Sequence, residues 1–195
     1  MVMKIKDVIE CLKDEGTWVR WNRCTRDRVL FGDDEQEVKK IGVCWVATNK
    51  VIEQALEKGI NFIISHENIF YTTGTHLETK LVESIEHKKS LLNNGNICVY
   101  RCHDVWDSIP GYGVSDIWAK KLGFDFKDRV INSYYQHADI PTQTVSELAK
   151  HVANALKDDG EEGVYVFGDI NKEVSHLAIG TGAGTDIFEM LEFNP

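Results

Sequence analysis

NFIISHENIFY, residues 61–71, decides how the chain is read. Phe62, Ile63 and Ile64 form an unbroken apolar run, and Ile69 with Phe70 resumes it after the polar triplet His66, Glu67 and Asn68. Such a run without polar alternation reads as a strand buried on both faces, the habit of parallel sheets covered by helices. Strands of this kind deliver their last side chains to the crevice at the carboxyl edge of the sheet, where open α/β folds bind ligands. An imidazole and a carboxylate side by side at that edge suit a divalent metal. Many strands end in His-Glu with no such role, so the pair needs partners from elsewhere in the chain.

Upstream, VLFGDDEQEVKKIGVCWVAT reads as a short strand, an acidic turn from Gly32 to Glu37, and a buried strand from Ile41 to Val46. TNKVIEQALEKG then places Val51, Ile52, Ala55 and Leu56 at helical spacing, with Thr48 or Asn49 as N-cap and Gly59 as terminator. Strand, helix and strand with short joints make a βαβ unit, whose strands pair in parallel. A helix opens the chain, with Ile5, Val8, Ile9 and Leu12 on one face and Gly16 at its end. Downstream, a helix from His76 to Asn93 precedes NICVYRCHD, a buried strand that ends in His103 and Asp104. Beyond it come Asp107, a glycine-bearing turn and a helix from Ser115 to Leu122, with Ser115 or Asp116 as its cap.

After Gly123 the composition shifts to a connector or edge segment containing Pro141, which divides the chain into an α/β unit over 1–126 and a second, incomplete one over 127–195. Thr144 and Glu147 have capping-box spacing at the head of a helix. VYVFGDINKEVSHLAIGTGAG then reads as two short buried strands and a glycine-rich turn. An internal repeat runs through both units: FGDDEQEVKKIGV at 31–43 matches FGDINKEVSHLAI at 167–179 without a gap, and LKDEG at 12–16 matches LKDDG at 156–160. The register brings the second copy to Pro195 before it reaches the strand equivalent to 62–68. Truncation of a longer protein, or completion by a partner chain, is therefore expected.

Composition narrows the function. Twenty-two basic against 31 acidic residues give a net charge of −9, which disfavours nucleic acid as a partner, the segment with Arg20, Arg23, Arg26 and Arg28 notwithstanding. No apolar run reaches the ~20 residues a membrane helix needs, and the N-terminus lacks the blocks of a signal peptide, so a cytoplasmic protein is expected. The five cysteines, Cys11, Cys24, Cys44, Cys98 and Cys102, read as free thiols. Cys98 and Cys102 would share one face of a strand without the spacing of a zinc knuckle. GTGAG at 180–184 lacks the lysine and spacing of a phosphate loop and reads as a tight turn. His76, His87, His137, His151 and His176 fall on helix faces, turns or edges and carry no chemistry in this reading.

His66, Glu67, His103, Asp104 and Asp107 leave the ends of two strands that a βαβ sheet brings close together. Imidazole with carboxylate suits zinc, manganese or iron, and bridging carboxylates suit a pair of ions at ~3.5–4 Å that activates water. Metal-assisted hydrolysis is the natural reaction class.

IISHENIFY resembles the strand-end motif of the NIF-three-like proteins, the type-two homologues of GTP cyclohydrolase I, where His-His-Pro or His-Glu-Pro follows a buried strand. VYRCHDVWDSIPGYGVSD is similar to that family's second block, and FGDINKEV with IGTGAG to its third. The resemblance implies duplicated α/β units with mostly parallel or mixed sheets flanked by helices, a dinuclear divalent-metal centre and a ring-shaped homo-oligomer. It implies His66, Glu67 and Asp107 as metal ligands and His103 as the catalytic group that carries a proton or orients the site. The substrate it implies is a small molecule of nucleotide or phosphoester type. Asn68 stands where the motif has Pro, Ser115 where it has Asn, and the family's remaining His and Glu ligands have no counterpart before Pro195. Fewer ligands imply weaker metal binding. The alternative function is a non-catalytic oligomeric scaffold or regulatory binding protein with a degenerate or structural metal site.

Overall fold

Phe62, Ile63 and Ile64 do form a strand, and its two faces are buried against different helices. In the computed structural model, which describes residues 2–22, 25–70, 79–127, 135–182 and 186–195, this is β3 (Phe62–Ser65). Arg23, Cys24, His76 and Gly184 lie outside the described residues. β3 is central in a four-stranded mixed sheet with β1 (Arg28–Phe31), β2 (Ile41–Cys44) and β4 (Cys98–Arg101), in the order β1-β4-β3-β2. β2, β3 and β4 are parallel, as a βαβ path through α2 (Asn49–Glu57) and α3 (Thr79–Asn94) requires, and β1 runs antiparallel to β4. Ile63 and Val99 face α2 and α3 and are packed with Ile52, Ala55 and Leu92. Phe62, Cys98 and Tyr100 face the opening helix α1 (Ile5–Glu15), whose Ile5 and Ile9 are buried on them. Cys98 and Cys102 share that face, as strand alternation demands.

Thr48 caps α2 by accepting the Val51 N–H, and Thr144 with Glu147 forms a complete capping box on α6 (Val145–Leu156). α5 (Val114–Leu122) has Gly113 at its N-cap instead of Ser115 or Asp116, because Ser115 is buried and Asp116 accepts the Gly111 N–H. Among the described residues no helix is long and apolar enough to cross a membrane.

The structure divides into two units, Met1–Trp106 and Asp107–Pro195, with the division inside α4 (Asp104–Ser108) and ahead of the composition shift near residue 126. α5 belongs to the second unit because its Ala119 and Leu122 pack with Ile179. The segment read as a connector or edge is a ten-residue strand, β5 (Tyr135–Thr144), antiparallel to β6 (Glu173–Gly180). Pro141 is accommodated where the register shifts between Asp139 and Gln143, since a ladder irregularity needs no N–H from it. Two strands expected to be buried are not. β2 is an edge strand with Val43 78 % exposed, because α1 covers β3 and β4 and stops short of it. Val164–Phe167 belongs to no strand, and Tyr165 and Phe167 are each 94 % exposed. A short helix, α7 (Ile187–Leu191), lies near the C-terminus.

The internal repeat is written in the hydrogen bonds. In the first unit the Ile5 and Lys6 N–H groups donate to Gln36 O and Asp34 O, each at 2.9 Å. In the second, Val145 and Ser146 donate to Lys172 O and Ile170 O, again at 2.9 Å. Asp33 Oδ1 accepts the Glu35 N–H and Asp169 Oδ1 the Asn171 N–H, the same Asx turn at equivalent positions. Gly32 and Gly168 precede these turns with φ +85 and +122. A Cβ on Gly32 would lie 2.7 Å from Ile97 O, whereas one on Gly168 meets nothing within 4 Å. Gly168→Ala should therefore cost only the backbone strain, about 1–2 kcal/mol. Gly32→Ala should add overpacking of about 1–3 kcal/mol more. Equal losses in urea unfolding would refute this difference.

Candidate metal centre

β3 and β4 end side by side, and the residues just beyond each end are held mainly by contacts outside the sheet ladder. The His66 and Glu67 N–H groups donate to Cys44 O (3.1 Å) and Trp45 O (2.8 Å), which carries the parallel path one step past the strands. Asn68 then turns the chain, donating from Nδ2 to Phe70 O at 2.6 Å and accepting the Phe70 N–H. An Asx-type turn thus stands where the resemblance has a proline.

After Cys102 the chain breaks from β4 into α4, and a distant carboxylate makes the break. Asp27, 4 % exposed, accepts the His103 N–H (2.7 Å) and Asp104 N–H (2.6 Å) on Oδ1 and the Val105 N–H (3.0 Å) on Oδ2. These are donors that the first turn of a helix leaves without an internal partner. Burial pushes the Asp27 carboxyl above its ordinary range, against the pull of the three N–H groups. Asp104 is fastened from the same side: its Oδ2 accepts the Arg26 N–H (2.8 Å) and the Thr25 hydroxyl (3.0 Å). Burial would raise the Asp104 carboxyl, but the His103 ring, Arg26 N–H and Thr25 hydroxyl outweigh it and hold the group down at about 2.

This clamp sets His103 and Asp107 one turn apart, on one side of α4. His66, His103 and Asp107 each offer a donor atom, and the three atoms lie within 4.8 Å of one another. The boundary between the units falls beside Asp107, but α4 is continuous from Asp104, so the helix itself carries this carboxylate to the two imidazoles. His103 Nδ1 is 3.1 Å from Asp104 Oδ1, an arrangement in which the carboxylate accepts a hydrogen bond from Nδ1–H and the unprotonated Nε2 is the atom suited to ligate a metal. His66 is buried between two rings, stacked on Trp45 at 3.9 Å and 13° and on His103 at 4.4 Å and 28°.

Glu67 is engaged by Arg101. Its Oε2 accepts from Arg101 Nη2 at 2.8 Å, and Arg101 Nε donates to the His66 carbonyl at 3.1 Å. The carboxylate pairs with a guanidinium only 12 % exposed, and its Oε1 lies 3.9 Å from His66 Nδ1. Of the residues singled out from the sequence, His66, His103 and Asp107 come together; Asp104 orients His103, and Glu67 fixes the His66 backbone through Arg101.

Two imidazoles and a carboxylate fit a divalent transition metal, because three protein ligands with an open position are the donor set of hydrolytic zinc sites and of non-haem iron. Asp27, Thr25 and Trp45 had no sequence signal: each acts on a residue remote in sequence, and no local motif marks such a contact. Elsewhere, His151 Nε2 lies 2.6 Å from Leu122 O, and His176 lies 3.2 Å from His137 and 2.6 Å from Asp139 Oδ1.

Asp27→Asn should weaken the clamp although Asp27 is no ligand. We expect a loss of about 1–3 kcal/mol in unfolding free energy. Zn²⁺ affinity, read by calorimetry, should fall about tenfold, the effect of a lost outer-shell partner. Unchanged affinity would show that α4 holds its geometry without the cap.

Comparison with known proteins agrees with this architecture. A protein named GTP cyclohydrolase 1 type 2 homolog from Clostridium perfringens is 28% identical over 198 residues, covering 95% of this chain and 72% of its own length. The protein of the same name from Clostridium acetobutylicum is 28% identical over 205 residues, covering 97% and 72%. A Bacillus cereus protein related to NIF3 superimposes with a TM-score of 0.74 over 100% of this chain and 80% of its own, at 13% identity, a likeness of fold. The model of the Duf34/NIF3 (NGG1p interacting factor 3) family matches residues 3–194, and the chain belongs to that family.

Proposed function

We propose that this chain is a divalent-metal-binding, hydrolase-like protein whose ion is held by His66, His103 and Asp107. The convergence of these three donors within 4.8 Å at the ends of adjacent parallel strands carries the reading. The donor set favours zinc, manganese or iron. An ion so held supplies a Lewis acid and lowers the pKa of a water at its open position.

The chain's own residues do the rest. Asp104 fixes the His103 tautomer and ring plane, and Asp27 fixes the backbone that carries it. Arg101 ties Glu67 and the His66 carbonyl together, so the first imidazole leaves β3 at a set angle. Trp45 covers one face of the His66 ring and excludes water there. The substrate class in this reading is a phosphoester or a nucleotide, and the name that the relatives carry supports the nucleotide. Self-association belongs to the same reading, supported by the bare aromatic side chains of Tyr165 and Phe167.

Metal content and calorimetry test the proposal. His66→Ala with Asp107→Ala should abolish stoichiometric Zn²⁺ or Mn²⁺ binding and lower hydrolysis of bis(p-nitrophenyl) phosphate by about a hundredfold or more. Metal binding that survives both substitutions would sink it.

A further inference from the structure

The face of the sheet that carries α1 is only partly covered. Beside α1 and over β2 and β3 lies a cavity of about 380 Å³, walled by Leu12, Val43, Trp45, Ile64, His66 and Trp106. Its remaining lining residues are Cys44 and Cys102. Among the described residues no lysine, arginine or carboxylate lines it, and burial pushes the Cys44 thiol up, away from a reactive thiolate. Trp45 is 58 % and Trp106 44 % exposed, so two indoles stand in water at the mouth of an apolar groove. Exposed rings of this size are an unfavourable surface unless something flat covers them.

The shape argues for a small molecule. The volume falls at the low end of the roughly 300–1,000 Å³ of ligand pockets, and the groove is concave. Part of its lining is His66, one of the three donors, and Trp45 is already stacked on its ring at 3.9 Å. A molecule in the groove therefore places one end against the proposed metal.

We propose that the groove between Trp45 and Trp106 seats an uncharged planar aromatic ring of the substrate, with an oxyanion on that ring turned toward His66. The inference rests on the proposed metal site for the oxyanion end and on the groove alone for the ring. An aromatic contact of this kind corresponds to about a tenfold gain in affinity.

The test titrates 2-naphthyl phosphate, methyl phosphate and 2-naphthol into the Mn²⁺-loaded and the EDTA-treated protein by calorimetry. The naphthyl ester should bind the loaded protein about tenfold tighter than methyl phosphate. Trp106→Ala and, separately, Val43→Glu should each erase that advantage while Mn²⁺ content and the circular dichroism spectrum stay unchanged. Val43 is 78 % exposed on an edge strand, so its replacement leaves the fold intact. 2-Naphthol should bind with or without Mn²⁺ and depend on the same two residues. If it does so while Mn²⁺ fails to bind, the ring seat stands and the metal reading falls. Equal affinity for the two esters, or an advantage that survives both substitutions, overturns the ring seat. So does a dimer in sedimentation that either substitution dissociates, because the groove would then belong to a second copy.

Discussion

A single buried carboxylate holds the candidate centre in shape. Asp27 takes three successive N–H groups at the start of α4, from residues 76 to 78 positions further along the chain. α4 spans only Asp104–Ser108, far below the roughly 12 residues at which a helix sustains itself in water. It persists because its exposed donors are met from outside and because Val105 is buried beneath α1. Desolvation works against the charge on Asp27; the three N–H groups and the positive end of the helix work for it. Since Asp27 leads directly into β1, the edge of the sheet and the position of His103 and Asp107 are fixed by the same contact.

The βαβ core was legible because its signals are local. Helical spacing in 51–56, the Thr48 cap and the apolar run at 62–64 each report on residues within one turn or one strand. The errors share one cause. Ile41–Cys44 and Val164–Phe167 are apolar enough to be buried, but apolarity states a preference and not the presence of a covering element. At β5 the sequence leaves a connector and an edge strand both open: Pro141 signals a break, and the register shift that absorbs it depends on β6 more than thirty residues away. The repeat fared better than either, since its register predicts equivalent hydrogen bonds and these occur at Asp34 and Ile170, and at Gln36 and Lys172.

At the site, the strand ends were legible and the division of labour among them was not. His66 and His103 close parallel neighbours, so sheet order alone brings them together. The orientation of Glu67 depends on Arg101, which pairs in register with Ser65 on the adjacent strand and so lies beside the His66–Glu67 step. A guanidinium at 2.8 Å in a half-buried setting is a strong partner for a carboxylate, and it turns Glu67 into an anchor. His103 joins the donors because Asp104, its neighbour in sequence, occupies its other ring nitrogen. Which nitrogen is bound, and by what, cannot be read from residue order.

The two copies of the repeat differ in whether they cap the helix that carries His103 and Asp107. Both have a helix whose first N–H groups bond to the same Asx-turn segment, so the scaffold itself is shared. They differ in the link that precedes the turn. In the first copy residues 16–27 separate α1 from β1 and carry Trp18, Thr25, Arg26 and Asp27, all of which bond to the start of α4. In the second copy only residues 157–163 separate α6 from the equivalent of β1, Val164–Phe167, and none of those four side chains has a counterpart there. In the second unit His176 also meets a carboxylate, Asp139 at 2.6 Å, but across the β5–β6 ladder and on no capped helix; His103 and Asp107 are set together by the longer link that caps α4. The candidate donor set thus follows the longer link more than the repeated strands.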